Sequence, residues 1–269
     1  MNIWQESIAL TERLKQLNLD KTVIDYEKHK LYSIVTNSTQ LEGCALTRID
    51  TELLLDKGIT AKGLSLDHHL MVKDNYNAIR FAIQKADENI LLSPEFLKEL
   101  NSVNMANTGQ VVNNIKGTVD GRTGAFRLVN AFSEAFGYYL DPDKIPYAVD
   151  QFCQQFNGAM SKYKNNNDIL KFSFDAHINL VLIHPWQDGN KRTSRLVMNF
   201  IQRRAGIPLT MVEKSNEKDY ITAIKAVKED NNLDKFRDFM INQHVSNLKS
   251  ELEKYDQHQQ HKGGFHLIL

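Results

Sequence analysis

Apolar residues recur at helical spacing through most of the chain, and few residues interrupt them. The 269 residues include only 5 prolines and 13 glycines, so long stretches run without a helix breaker. Residues 168–183 show the pattern most clearly, because Leu170, Phe174, Ile178 and Val181 lie on one stripe. The pattern predicts a buried core helix in an all-α fold.

Similar spacing predicts further helices near residues 5–18, 28–41, 70–86, 145–163, 193–205, 217–229 and 233–254, and one that begins at Ser93-Pro94. The segment 113–143 is different, since it mixes glycines with aromatic residues. Asp120-Gly121 is typical of a hairpin turn, so loops and one short β-hairpin are expected here.

Charge and cysteine content exclude some classes of protein. Lys+Arg and Asp+Glu both number 33, and a chain without a basic surplus is not expected to bind nucleic acid. Two cysteines, Cys44 and Cys153, do not form a disulfide framework, which indicates reduced thiols and a cytoplasmic location. Glu6 and Glu12 interrupt any signal peptide of normal form. No apolar run reaches the length of about 18 residues typical of a membrane span.

The chemistry is concentrated in residues 184–195, His-Pro-Trp-Gln-Asp-Gly-Asn-Lys-Arg-Thr-Ser-Arg. This segment runs into a predicted helix N-terminus, where free backbone N–H groups and the positive end of the dipole favour an anion. Arg192 and Arg195 are i,i+3 neighbours and can contact one ligand. The dipole repels cations at this end, so the two arginines predict a compensating anion such as a polyphosphate.

Two more residues of this segment suit phosphate chemistry. Asp188 could hold Mg²⁺, which usually takes one or two carboxylates together with substrate phosphates. His184 is a candidate general base, because the intrinsic pKa of a histidine side chain is suited to accepting a proton near neutrality. The alternative is a capped helix with surface arginines and a buried histidine, which leaves the repelled arginines without a cause.

The segment resembles the signature of the Fic family, H-x-F-x-[D/E]-G-N-G-R-x-x-R. Six defined positions match: His184, Asp188, Gly189, Asn190, Arg192 and Arg195. Trp186 replaces Phe and Lys191 replaces Gly. Further landmarks extend the resemblance over roughly residues 30–245: Ile145-Pro146 before a helix, Ala176-His177, and an aromatic hairpin in the place of the family's flap.

The resemblance implies a helical bundle that transfers AMP from ATP, with Mg²⁺, to a Ser, Thr or Tyr hydroxyl of a target protein. His184 would deprotonate that hydroxyl and Asp188 would bind Mg²⁺. Asn190 and the loop N–H groups around Gly189 would hold the α-phosphate. The β- and γ-phosphates would be held by Arg192 and Arg195.

Nucleobase recognition follows the family less closely. Tyr220 resembles the first of a tyrosine pair that packs near adenine, but the second position is Ile221. A later asparagine of the family corresponds to Lys228. The aromatic cluster of Phe132, Phe136, Tyr138 and Tyr139 fits either core packing or a flap over the target.

A second motif indicates regulation. Residues 38–43, Ser-Thr-Gln-Leu-Glu-Gly, resemble the family's inhibitory motif [S/T]-x-x-x-E-[G/N]. In this interpretation Ser38 and Glu42 are inhibitory residues, and Glu42 pairs with Arg195 to withdraw it from the γ-phosphate. The alternatives are an exposed glutamate at a helix end, or a glutamate that orients water and favours removal of AMP.

The predicted division of the chain is N-terminal helices with the inhibitory helix (residues 1–60), a catalytic core (61–250) and a tail (251–269) that is expected to be disordered because it is rich in His and Gln. Lys191 leaves a second activity open, because related death-on-curing toxins carry Asn-Lys-Arg here and resemble kinases in activity. A non-catalytic nucleotide-binding protein is a third alternative. Family members often form dimers, so a homodimer is also left open.

Overall fold

The computed structural model describes residues 1–17, 25–160, 162 and 165–263, with side chains up to residue 257. The described residues form ten α-helices: α1 (Ile3–Gln16), α2 (Tyr26–Gln40), α3 (Arg48–Lys57), α4 (Leu66–Asp87), α5 (Pro94–Asn104), α6 (Ile145–Met160), α7 (Asn166–Ile183), α8 (Asn190–Arg204), α9 (Glu217–Asp230) and α10 (Leu233–Gly263). The prediction of an all-α fold is confirmed. None of the described helices combines the length and the apolar character needed to cross a membrane.

Helices α7 and α8 form the centre of the bundle. Their side chains contribute to two buried apolar clusters, one shared with α2, α4, α5 and α6 and the other with α9 and α10. Helix α8 is buried on all sides, since 12 of its 15 residues are buried. Helices α2, α4, α5 and α7 all contact it.

Two small hairpins lie between α5 and α6, where one was predicted. Strands β1 (Val111–Asn114) and β2 (Gly117–Asp120) pair antiparallel, with the turn at residues 115–116. The Asp120-Gly121 pair is not the turn, because the Asp120 carboxylate caps the 3₁₀ turn Gly121–Thr123. Strands β3 (Phe132–Ser133) and β4 (Gly137–Tyr138) form the second hairpin, which we call the flap.

Helix α3 was not predicted, because Leu53, Leu54 and Leu55 follow one another and make no helical stripe. Its ends carry the signals that could have found it. Thr47 forms a capping box with Asp50, and Gly58 ends the helix in the left-handed conformation.

Helix α10 extends further than expected. It continues to Gly263, so the prediction of a disordered tail from residue 251 was wrong up to that point. The helix is held against α1 by an ion pair of 2.8 Å between Arg13 and Asp256 and one of 2.7 Å between Lys249 and Glu6. Residues 264–269 lie outside the described residues.

Candidate active site

His184 lies at the C-terminal end of α7, directly before Pro185. A residue before proline avoids the right-handed helical region, and His184 adopts φ 51° and ψ 58° instead. This left-handed conformation costs a non-glycine residue about 1–2 kcal/mol. The amide of His184 still donates to the carbonyl of Leu180 at 3.1 Å, so the helix ends at this residue.

The imidazole of His184 is covered by the ring of Tyr139, which follows the flap. The two ring centroids are 3.8 Å apart and the planes differ by 18°. Burial lowers the pKa of His184 to about 4, and the charges of Arg127 and Lys191 act in the same direction. Glu42 and a backbone hydrogen bond oppose the shift. At pH 7 the imidazole is therefore neutral and able to accept a proton.

The loop between α7 and α8 is braced by one side chain. The Oδ1 atom of Asn190 accepts from the amide of Trp186 at 2.9 Å, and its Nδ2 atom donates to the carbonyl of Trp186 at 2.8 Å. Trp186 is itself buried, and its indole N–H donates to the carbonyl of Gly124 at 3.0 Å. Both ends of the Asn190 amide are thus engaged within the protein, unlike the phosphate contact that was predicted for it.

Gly189 begins α8 and leaves the first turn open to a ligand. Its φ of 78° lies in the left-handed region, and an added Cβ would lie 2.7 Å from the Sδ atom of Met105 and 2.9 Å from Nδ2 of Asn101. Among the residues that the structure describes, no side chain caps the first turn of α8. Because the first N–H groups of a helix have no intrahelical partner, this turn is suited to an anion.

Arg192 is a buried cation with incomplete hydrogen bonding. Its side chain is 3% exposed, and its Nη2 atom lies 3.2 Å from the sulfur of Met105 and 3.6 Å from a carboxylate oxygen of Asp188. The Nε and Nη1 atoms are buried and have no hydrogen-bond partner among the described residues. Unpartnered buried donors of a charged group are costly, so the arrangement favours an anionic ligand.

Arg195 is buried one turn further along α8 and is held by α2 and the turn that follows it. Its Nε atom donates to Oγ of Ser38 at 3.0 Å, and its Nη2 atom donates to the carbonyl of Ser38 at 2.8 Å and to Oε1 of Glu42 at 2.9 Å. The remaining Nη1 atom is buried without a partner in the described part of the chain. The geometry thus brings the two predicted inhibitory residues onto the predicted arginine.

The carboxylate of Glu42 is shared by two cations. Its second oxygen, Oε2, lies 3.0 Å from Nζ of Lys191, so this lysine does not simply face solvent. Burial raises the pKa of Glu42, but attraction to Arg195 and Lys191 outweighs burial and the net pKa is lowered. Glu42 is therefore ionised at pH 7, and two cations of α8 share its single negative charge.

Tyr220 is placed differently from the prediction of a residue beside a nucleobase. It is 1% exposed, and its hydroxyl lies 2.8 Å from Nε2 of His177. Burial raises the pKa of Tyr220 to about 12, while the neighbouring Arg195 opposes the shift. Burial and the charge of Arg195 lower the pKa of His177 well below its usual value. The pair therefore forms a neutral support behind Arg195.

Asp188 is the candidate metal ligand. Its side chain is 70% exposed on the loop before α8. Among the described residues, no group of three or more His, Cys, Asp or Glu side chains could hold a metal ion alone. A single accessible carboxylate beside an anion site fits Mg²⁺, which is commonly held by one carboxylate together with substrate phosphates and water.

Several residues of the site were missed by sequence reasoning. Asn101 of α5 donates to the carbonyl of Asp188 at 3.3 Å and to Oγ1 of Thr193 at 3.1 Å, which ties the loop to α8. Arg127 and Met105 also contact the site and were missed. No local motif marks these residues, because each acts through a tertiary contact.

Comparison with known proteins agrees with the geometry. Residues 91–202 match the Fic/DOC family. This part of the chain is therefore similar to a Fic/DOC domain. The matched residues include the whole of the segment 184–195, whereas Ser38, Glu42 and Tyr220 lie outside the match.

The relatives with curated names are distant. The chain is 26% identical over 204 residues to the protein adenylyltransferase Fic of Drosophila willistoni, and 25% identical over 214 residues to that of Culex quinquefasciatus. These matches cover 76% and 78% of this chain but only 38% and 40% of the relatives, so the chain spans well under half of their length.

Solved structures support the Fic fold. A Fic-domain signalling protein from Bacteroides thetaiotaomicron superposes with a TM-score of 0.78 at 19% identity, covering 94% of this chain and 96% of that one. Fic-1 from C. elegans superposes with a TM-score of 0.78 at 18% identity, covering 95% of this chain and 72% of that one.

Proposed function

We propose that this Fic/DOC protein is a protein adenylyltransferase that moves AMP from ATP to a hydroxyl side chain of a target protein. The observation that carries the proposal is a neutral imidazole close to two buried arginines whose N–H groups are only partly hydrogen-bonded. His184 lies next to a helix N-terminus where Arg192 and Arg195 are buried and keep N–H groups for which the described part of the chain offers no acceptor. Such a site combines a proton acceptor with donors that suit a polyphosphate.

The reaction follows from these positions. A hydroxyl oxygen of the target attacks the α-phosphorus of ATP, and its proton passes to His184. A new oxygen–phosphorus bond forms as the bond between the α-phosphorus and the bridging oxygen breaks, and pyrophosphate leaves. The N–H groups of the first turn of α8 hold the α-phosphate, while Arg192 and Arg195 hold the β- and γ-phosphates. Catalysis consists mainly of positioning and charge stabilisation.

Mg²⁺ belongs to this proposal. Asp188 would hold the ion, which when bound neutralises part of the phosphate charge. The carboxylate is exposed and makes a 3.6 Å contact with Arg192, so it can reach both the solvent and the phosphate site.

Autoinhibition by Glu42 is also part of the proposal. The carboxylate forms ion pairs with Arg195 and Lys191, two of the cations that would otherwise bind the phosphates of ATP. Its negative charge would also repel the γ-phosphate. Activity therefore requires that Glu42 moves away, and the same residue could instead orient a water molecule that removes AMP from a modified target.

The relatives support the chemistry, since the matching proteins from flies and mosquito are named protein adenylyltransferases. Free, buried thiols at Cys44 and Cys153 are consistent with a cytoplasmic location. The boundary between the N-terminal helices and the catalytic core stays a prediction, as does a homodimer.

The test is self-modification of purified Glu42→Gly protein with ATP and Mg²⁺, measured by intact mass. We expect a gain of one AMP, which is absent when His184→Ala is added. A matched control is Glu88→Gly, because Glu88 also ends a helix in an ion pair, here with Lys85. This control should remain as inactive as the wild type.

Other outcomes would redirect the proposal. A gain of one phosphate would support kinase-like transfer, a second candidate favoured by the position of Lys191 on the site. Nucleotide binding without any mass change, on the protein itself or on proteins of a cell extract, would contradict the proposed reaction and favour a binding protein.

A further inference from the structure

Arg127 is a buried arginine whose partners are main-chain carbonyls. Its side chain donates from Nε to the carbonyl of His184 at 2.7 Å and from Nη1 to the carbonyl of Val129 at 2.7 Å, and Nη2 donates to the carbonyl of Leu140. Its own amide donates to the carbonyl of Pro185 at 2.9 Å. One residue therefore connects three separate points of the main chain.

Two of these points are the ends of the flap. Val129 precedes β3 and Leu140 follows β4, so the guanidinium closes the base of the hairpin. Leu140 directly follows Tyr139, whose ring lies on the imidazole of His184. The other side of the flap is held by Lys228, which donates to the carbonyl of Tyr138 and lies 4.6 Å from the ring centroid of Tyr139.

The third point is the strained end of α7. The carbonyl of His184 belongs to a left-handed residue at a helix C-terminus, where a cation is favoured by the helix dipole. Arginine suits this place because its planar fork can reach three acceptors at once, whereas lysine offers a single ammonium group. The nearby charge of Asp141 partly offsets the burial that lowers the pKa of Arg127.

We propose that Arg127 is the positioning residue of His184. It fixes the main chain of the base and, through the flap, the ring that stacks on the imidazole. The inference rests on the proposed function for its effect on turnover, but the placement of the imidazole can be measured without turnover.

Arg127 also acts on His184 through its charge. The charged groups that influence the imidazole are Arg127 and Lys191, which lower its pKa, and Glu42, which raises it. A backbone hydrogen bond at Val181 also raises the pKa, and the ring of Tyr139 stacks on the imidazole. Burial has the largest effect and lowers the pKa. Removal of the Arg127 charge therefore raises the pKa of His184, and a lysine at this position leaves it nearly unchanged.

The experiment compares Arg127→Gln and Arg127→Lys in the Glu42→Gly protein. Folding is checked by thermal unfolding, turnover by the rate of AMP transfer, and ATP affinity by calorimetry. We expect both variants to lose roughly a hundredfold in kcat, the loss typical of a small misplacement of a reacting group, with an ATP Kd within about twofold of the parent. The matched control is Arg122→Gln, since Arg122 is an exposed arginine of the same segment paired with Asp120.

The pH dependence of kcat distinguishes a positioning role of Arg127 from a nonspecific loss of structure in the variants. In Arg127→Gln the acid limb of the kcat profile moves to higher pH, whereas in Arg127→Lys it stays where it is in the parent. A folded Arg127→Gln protein with a kcat within twofold of the parent would overturn the proposal. So would an equal loss of ATP affinity and turnover, or an acid limb that does not move.

NMR of the histidine side chains gives a readout that does not depend on the reaction. The His184 signal is assigned by its loss in His184→Gln, and its titration is followed in each Arg127 variant. We expect a higher pKa in Arg127→Gln only. In both variants we expect a change in the ring-current shift that Tyr139 imposes on the His184 signal, which reports the placement of the imidazole. If the Glu42→Gly protein transfers nothing but this change is present, the proposed function fails and the positioning role stands. If the pKa of His184 is the same in all variants, the positioning role is refuted.

Discussion

Under the proposed autoinhibition by Glu42, substitution of Lys191 should have opposite effects in the inhibited and the released protein. In the wild type, Lys191 and Arg195 hold the two oxygens of Glu42 at 3.0 Å and 2.9 Å. Lys191→Ala removes one of these pairs and weakens the inhibitory contact. In the Glu42→Gly protein the same lysine has no carboxylate to bind, and its charge, in the first turn of α8, is available to attract the phosphates of ATP.

The size of the effect follows from the exposure of the pair. A hydrogen bond to a charged group contributes about 1.5–3 kcal/mol when it is buried. The side chains of Lys191 and Glu42 are 27% and 18% exposed, so solvent reduces the contribution to about 1–2 kcal/mol. This changes the population of the released state by a factor of about 5–30. Lys191→Ala should therefore raise the wild-type rate by roughly that factor.

In the Glu42→Gly protein the same substitution should lower the rate. Loss of one cation near the phosphates weakens ATP binding by about 1 kcal/mol, which corresponds to a rise in KM of roughly fivefold. The assay is the initial rate of label transfer from ATP labelled at the α-phosphorus, at ATP concentrations below KM.

The control is Lys85→Ala in both backgrounds. Lys85 also pairs with a glutamate, Glu88, at 2.8 Å, and its side chain is 26% exposed, as in the Lys191 pair. This variant should leave both rates unchanged. If Lys191→Ala changes the rate in the same direction in both backgrounds, the shared use of Lys191 by Glu42 and ATP is refuted.

Three further predictions concern the loop, a buried carboxylate and acid pH. Gly189→Ala should lower ATP affinity by more than about tenfold, because its Cβ meets Met105 at 2.7 Å, whereas Gly206→Ala, also at positive φ but with nothing within 4 Å, should not; equal affinities in calorimetry would contradict this. Asp74→Ala should lower Tm by roughly 4–8 °C, since the backbone N–H groups of Asn107 and Thr108 lose their buried acceptor at a cost of about 2 kcal/mol, and an unchanged Tm in calorimetric scans would argue against it. The wild type should have a higher Tm than Glu42→Gln, and this difference should have its full size above pH 4.5 and shrink as the pH falls through the lowered pKa of Glu42. A Tm difference that stays constant down to pH 3 would disprove the contribution of the ion pair.

Much of the helical framework was predictable because its signals are local. The apolar stripe of residues 168–183 predicted α7, and Ser93-Pro94 predicted the start of α5. Predictions failed where the local sequence pattern was weak or where it formed a different local structure. Helix α3 was missed because its three consecutive leucines make no helical stripe, and Asp120-Gly121 starts a 3₁₀ turn rather than a hairpin turn.

The sequence by itself determined the chemistry of the site, because His184, Asp188, Gly189, Arg192 and Arg195 lie within twelve residues at a helix start. Such neighbours must share one loop and one helix turn in any fold that keeps the helix. A short motif also indicated Glu42 and Ser38, but not the distance to their partner, which lies 153 and 157 residues further along the chain.

Only the tertiary structure decided how these groups are held. Tyr220 supports Arg195 from within the core, and Tyr139 covers the imidazole of His184. Arg127 contacts main-chain carbonyls, and every residue carries a carbonyl, so no side-chain pattern could reveal its partners. These contacts depend on packing between segments that are far apart in sequence, and packing is a property of the folded chain.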